Sequence, residues 1–352
     1  MKIAILAPPW ISVPAPGYGG VESVVSALTE NLVERKHQVT LFCAPGSISG
    51  ANIVNFLGET HPHEIERSIY EVDHVAATFD YMDNLPAGEK FDVVHDHCGF
   101  VGIAMANRIS TPIIHTLHGP FTSESSAFYS RHGHKATLVG ISKSQLSSAP
   151  KGLGEIVSIP NPIDLKVWPL QETKDDYLLW IGRITPEKGP HLAIAAALEA
   201  GVPLILAGIV QPGQGDYFDR EIAPYIDGQK VSFAGEVRGK VKQSLFAHAM
   251  GLLMPIRWEE PFGMVMVEAL ASGTPVISFP EGAARELIIE GETGFLVKDE
   301  LHMAAAIAQL STIDSRACRD WVARYCDVNV VTSAYEKVYR AAISQPRTGH
   351  HD

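Results

Sequence analysis

The chain has 352 residues, too many for one ordinary hydrophobic core and suited to two domains of typical size. An apolar share of 46% with 30 Gly and 23 Pro describes a turn-rich α/β protein and excludes a disordered one. Lys and Arg number 28 against 40 Asp and Glu, a formal charge of −12, so the surface as a whole repels polyanions and nucleic acid is excluded as an expected partner.

Met1 leads directly into the strand-like Lys2 to Ala7, so no signal peptide is expected, and no apolar run is long enough to span a bilayer. Cys43, Cys98, Cys318 and Cys326 are scattered without Cys-x-x-Cys spacing, so reduced structural thiols in a cytoplasmic setting are expected, with neither zinc nor disulfides. Lys and Arg occur singly through the first half. The basic amphipathic surface that a membrane-bound acceptor would call for is therefore not expected.

Taken in order, the first predicted strand is Ile3 to Leu6. The loop Pro8 to Gly20, with Gly17, Tyr18, Gly19 and Gly20, leads to a helix over Val21 to Lys36 that places Val25, Leu28 and Leu32 on one face. Val39 to Cys43, Phe91 to His95, Pro112 to Leu117 and Leu138 to Ile141 follow as buried strands. Ser47 to Leu85 carries no pattern that can be assigned. Around Ile159 to Pro169 the rhythm breaks at Pro160, Asn161, Pro162, Ile163 and Asp164, and then resumes. The second series comprises Tyr177 to Ile181, a helix over Glu187 to Glu199, Leu204 to Ala207, Phe233, Leu252 to Met254, Val276 to Ser278 and Phe295 to Val297. This alternation is the grammar of two doubly wound parallel sheets. A helix over about 328–344 carries Val331, Tyr335, Val338 and Ala342 at helical spacing, and the tail from Gln345 is expected to fray.

A nicotinamide fingerprint would need a third glycine where Glu22 stands and an acid near Cys43 or Ala44, so a dehydrogenase is disfavoured. His95, Asp96, His97 and Cys98 invite a metal, yet adjacent strand positions splay apart and no further ligands stand at a recognisable interval. No Asp-x-Asp occurs. Gly182, Arg183, Ile184, Thr185, Pro186, Glu187, Lys188 and Gly189 join a strand to a helix, where open α/β sheets bind ligands. Arg183 and Lys188 are then local cations suited to a diphosphate, although any such pair taken alone is more often a solvated turn.

The most specific run is Arg257, Trp258, Glu259, Glu260, Pro261, Phe262, Gly263, Met264, Val265, Met266, Val267, Glu268, Ala269, Leu270, Ala271, Ser272, Gly273, Thr274, Pro275, Val276. Its glutamates flank a helix N-terminus, whose amides and partial positive charge suit an anion while carboxylates accept from hydroxyls. Two isolated glutamates would be read as a solvated helix face. With seven residues between Glu260 and Glu268, inside a Pro-Phe-Gly and Ala-x-Ala-x-Gly-x-Pro-Val frame, the run resembles the signature of the retaining family 4 glycosyltransferases. The Gly-Arg…Lys-Gly segment, the His118-Gly119 pair, Ser142 to Gln145 and the Asn161 to Asp164 hinge resemble that family too.

The resemblance implies the GT-B architecture, two Rossmann-like doubly wound domains facing each other across a cleft. Residues 1–165 would form the acceptor side, residues 166–327 the nucleotide-sugar donor side, and the last helix would cross back onto the first domain. It implies that Arg183 and Lys188 hold a diphosphate and that Glu260, with the amides of Gly263, Met264 and Val265, meets the hexose and phosphate. Glu268 would take the ribose hydroxyls, main chain near Val237 the base, Gly19 and Gly20 the diphosphate, and His118 the hexose. The implied reaction is metal-independent front-face substitution without a cofactor. A nucleotide-diphosphate hexose, with UDP-glucose the expected one, donates to a soluble small molecule or saccharide. A phosphorylase or sugar-nucleotide epimerase on the same fold, and a non-catalytic sugar-nucleotide sensor, are the rival readings.

Overall fold

The computed structural model describes residues 1–17, 19–65, 67–153 and 156–345, so the tail beyond Gln345 and Tyr18 of the glycine loop lie outside the described residues. In chain order the first elements are β1 (Lys2–Leu6), α1 (Gly20–Glu34), β2 (Gln38–Phe42), β3 (Asn52–Val54), α2 (Ser68–Asp83), β4 (Val93–Asp96) and α3 (Val101–Met105). They continue with β5 (Ile113–Leu117), α4 (Ser123–His132), β6 (Thr137–Gly140), α5 (Lys143–Ser147) and β7 (Val157–Ser158). A second series runs β8 (Leu178–Ile181), α6 (Pro190–Ala200), β9 (Leu204–Ala207), α7 (Gly215–Glu221), β10 (Val231–Phe233) and α8 (Gly239–His248). It ends with β11 (Gly251–Met254), α9 (Met264–Ala271), β12 (Val276–Ser278), α10 (Ala284–Leu287), β13 (Gly294–Leu296), α11 (Glu300–Ile307), α12 (Ser315–Tyr325) and α13 (Val328–Ser344).

These elements form two compact units, Met1–Pro162 with the segment from Val328, and Ile163–Asp327. The boundary falls three residues before the 165/166 position expected from the Pro-rich segment, because Ile163 N already donates to Cys326 O at 2.9 Å and so belongs to the second unit.

The first unit holds a parallel sheet in the order β3-β2-β1-β4-β5-β6-β7. Its strands are apolar on both faces because helices cover both. Ile3 and Ile5 pack with Val25, Leu28 and Leu32 of α1 and with Tyr335 of α13, whereas Ala4 and Leu6 pack with Val75, Phe79 and Met82 of α2. The period-two alternation of a single strand thus supplies two cores. On the outer side of α1, Arg35 donates to Asn329 O and to Ser333 Oγ at 2.6 and 2.9 Å, and His37 Nε2 meets Glu336 Oε1 at 2.7 Å.

The second unit holds a parallel sheet in the order β10-β9-β8-β11-β12-β13. Chain order reverses between β8 and β11, which creates the crevice at the carboxyl edge where doubly wound folds bind ligands. Helix α9 is buried from Met266 to Ala271, Glu268 included. The helix expected from Glu187 is divided: a short 3-10 turn spans Pro186–Lys188, and α6 starts only at Pro190. Gly189 between them lies at φ 69°, and a Cβ there would stand 2.2 Å from Pro255 O. The break lets the Lys188 loop lie against the loop that follows β11.

Candidate active site

At the carboxyl edge of the second sheet, Arg183 follows β8 by two residues and its Nη1 donates to Gln211 Oε1 at 2.8 Å. Lys188 closes the 3-10 turn, its carbonyl accepting from Trp180 Nε1 at 3.1 Å. Its ammonium forms an ion pair with Glu260 Oε2 and stands 4.7 Å from the centre of the Trp258 ring. Trp258 Nε1 donates to the same Glu260 oxygen at 3.1 Å. One carboxylate therefore collects an ammonium and an indole N–H, with the indole face under the ammonium, an arrangement that strengthens each contact when shielded from water. Both charged side chains are 13% exposed, enough to be reached and too little to be screened as surface charges.

The glutamate loop is braced from the other side. Ala283 N donates to Glu260 O at 2.9 Å, and Gly282 N donates to Glu259 Oε2 at 3.1 Å. Gly263 caps α9 at φ 91°, a left-handed conformation that favours glycine, whereas the Met266 methyl that a Cβ would meet at 2.2 Å is the end of a flexible side chain and could turn away. Met264 and Val265 are half-buried in the first turn of α9, where amides have no partner within the helix. Glu268, one turn on, is 7% exposed and accepts from Lys242 Nζ of α8 at 2.7 Å. Val237 lies in the loop after β10, on the same sheet edge, between Gly235 at φ 66° and an exposed Glu236–Arg238 pair. Beside the cluster a cavity of about 560 Å³ is lined by Arg257, Trp258, Glu259, Phe279, Pro280, Glu281 and Lys298.

In the first unit Gly19 caps α1 and Gly20 is its first residue. A Cβ on Gly19 would stand 2.8 Å from Glu22 Oε2, and burial pushes that carboxyl up to about 6. His118 follows β5, its Nε2 2.9 Å from His97 Nδ1. Burial, with His115 nearby and Asp96 opposing, holds His118 down to about 3, so it is neutral at ordinary pH. His115 faces the opposite side, between Asp96 Oδ2 at 2.8 Å and Tyr129 Oη at 3.2 Å. His95 meets Tyr339 Oη at 2.7 Å and Thr116 Oγ1 at 2.8 Å, tying α13 to the sheet. Among the described residues no group of three or more His, Cys, Asp or Glu side chains is placed to hold a metal ion.

The structure thus gathers Lys188 and Glu260, expected on phosphate and hexose respectively, into one cluster, and carries Arg183, Gly263, Met264, Val265, Glu268 and Val237 on the same sheet edge. Gly19, Gly20 and His118 belong to the other unit. Sequence reasoning gave no role to Trp258, Gln211 or Lys242. Trp258 lay within the signature run, but Lys242 is 26 residues from Glu268 on another helix and nothing local marks it.

Two parallel α/β units, one with cations and carboxylates at its switch point, have the architecture of the GT-B glycosyltransferases. Residues 164–324 match the family described as Glycosyl transferases group 1, and residues 18–167 match Glycosyltransferase Family 4. The chain is 30% identical over 290 residues to a glycogen synthase of Mycobacterium tuberculosis (strain CDC 1551 / Oshkosh), covering 71% of this chain and 69% of that protein. It is 30% identical over 368 residues to a phosphatidyl-myo-inositol mannosyltransferase of Mycolicibacterium smegmatis, covering 96% and 93%. AviGT4, a glycosyltransferase involved in avilamycin A biosynthesis, superposes with a TM-score of 0.75 at 26% identity, over 98% of both chains. The protein belongs to glycosyltransferase family 4.

Proposed function

We propose that the protein is a metal-independent, retaining hexosyltransferase that uses a nucleotide-diphosphate sugar, UDP-glucose first among candidates, and a soluble small-molecule or saccharide acceptor. The observation that carries this reading is the Lys188, Glu260 and Trp258 cluster at the switch point beside the N-terminus of α9. Relatives named for glycogen synthesis and for mannosyl transfer support a hexose as the group moved. The first of these names favours a saccharide acceptor; a phosphatidylinositol acceptor is the competing outcome.

On this reading Lys188 exchanges Glu260 for the donor diphosphate, joined by Arg183 and the amides of Gly263, Met264 and Val265. Glu260, released, accepts from hexose hydroxyls. Glu268 accepts from the ribose and main chain near Val237 meets the base, while the roles expected of Gly19, Gly20 and His118 form part of the same proposal. The bond from the anomeric carbon to the phosphate oxygen breaks as the acceptor oxygen bonds on the same face. The departing phosphate oxygen takes the acceptor's proton, so configuration is kept without a covalent enzyme intermediate. The cations do the main electrostatic work, because negative charge grows on the diphosphate as the sugar leaves.

A thermal-shift panel of UDP-, GDP- and ADP-hexoses tests the donor, since a ligand at a hundred times its Kd adds about 2.7 kcal/mol of apparent stability. Transfer with retained anomeric configuration in the presence of EDTA is then expected. Release of sugar phosphate that depends on inorganic phosphate, or conversion of the donor without acceptor, would overturn the reading in favour of a phosphorylase or an epimerase. Donor binding without turnover of any acceptor would leave a sensor.

A further inference from the structure

Glu268 is served by a residue outside the signature run. Its side chain is 9% exposed; Oε1 accepts from Lys242 Nζ at 2.7 Å, and Oε2 is buried with no hydrogen-bond partner among the described residues. A carboxylate oxygen can only accept, and leaving it buried without a donor is costly. Such an oxygen is a place for a hydroxyl or N–H from a ligand. Its direction depends on what grips the other oxygen.

That grip is itself restrained. The Lys242 ammonium stands 5.6 Å from the centre of the Trp168 ring and 5.9 Å from that of Phe246, and the two rings meet edge to face at 5.6 Å. A free lysine is a flexible four-carbon stem with a point charge, but here two aromatic faces and one carboxylate define where the charge sits. Rotation of the Glu268 carboxylate would break its contact with Lys242.

We propose that Lys242 is a positioning residue for ribose selection: by holding Oε1 it presents Oε2 as the acceptor for one ribose hydroxyl of the donor. The inference rests on the reading of Glu268 as the ribose-binding residue. Lys242 acts through that carboxylate, and its loss weakens the hydroxyl contact without changing the chemistry at the anomeric carbon.

Calorimetric titration with UDP, GDP and ADP and with the 2′-deoxy and 3′-deoxy form of each tests this, the tightest-binding base carrying the comparison. The unaltered protein should favour the ribose form over at least one deoxy form by roughly ten- to hundredfold, the worth of a hydrogen bond to a charged group. In Lys242→Met that preference should shrink to within about threefold, mostly through weaker binding of the ribose form, while Lys242→Arg keeps most of it. A lysine that merely stabilised the fold would weaken all these ligands alike. If Glu268→Gln abolishes the preference and Lys242→Met leaves it intact, the role of Lys242 is refuted while the ribose reading survives. Equal affinity for ribose and deoxy forms in the unaltered protein, a preference untouched by Glu268→Gln, or no binding of any of the three diphosphates would remove the ribose reading itself.

Discussion

Lys188 and Glu260 share one hydrogen-bonded cluster with Trp258, so a change to any of the three is felt by the others. Lys188→Ala should lower kcat roughly 10²- to 10³-fold, the cost of losing one preorganised donor to a developing anion. Steady-state rates with the donor found by the thermal-shift panel measure this, and near-normal turnover would discredit the phosphate role. Glu22 permits a separate test of stability. Burial raises its carboxyl from 4.5 to about 6, so between these values the folded state binds more protons than the unfolded one and stability falls as pH rises. Above pH 6 the cost amounts to about 2 kcal/mol. Glu22→Gln should therefore gain up to about that much at pH 7.5 and almost nothing at pH 4.5, compared by urea denaturation at both values. Arg183, Lys188, Glu260 and Glu268 could be picked out from the sequence because each sits in a short contiguous motif. Lys242 could not, since its significance comes from a contact between two helices.

At the level of elements, Gly189 separates a 3-10 turn from α6 and brings the Lys188 loop against the chain at Pro255. Gly189→Ala would combine the left-handed penalty of an L-residue with a Cβ only 2.2 Å from Pro255 O. A loss of more than about 2 kcal/mol is expected, with a fall in activity because Pro255 leads into the Trp258 and Glu260 loop. Urea denaturation and kinetics on the same variant check both, and a fully active variant of normal stability would contradict this account of the turn. Most strands were readable as unbroken apolar runs, the mark of a sheet covered on both faces. Helix α2 was not, because its buried face includes His74 and Thr78 beside Val75, Phe79 and Met82, which interrupts the apolar period. β3 has only three residues, too few for a pattern. Helix α6 starts three residues later than its composition suggests, because the helical composition continues back through Glu187 and only Gly189 breaks it.

Across the whole molecule, buried imidazoles are unevenly placed. His74 is held down to about 4 and His118 to about 3, with His95 and His97 also lowered by burial, and all four lie in the first unit. Each takes up a proton in the unfolded chain near its ordinary value of 6.5 and resists it in the folded one, so stability is present above that pH and is lost as pH falls below it. The first unit should therefore lose hydrogen-exchange protection on acidification before the second does. Exchange read on peptides from both units between pH 7 and pH 4 checks this, and parallel loss in the two would count against it. Taken alone, the amino-acid order determined the two-sheet α/β class, the family and the short motifs, because apolar runs and local spacing survive in one dimension. Only the folded chain decided that Lys188 meets Glu260, that Lys242 grips Glu268 and that four imidazoles are buried, since each of these depends on burial or on contacts between segments far apart in sequence.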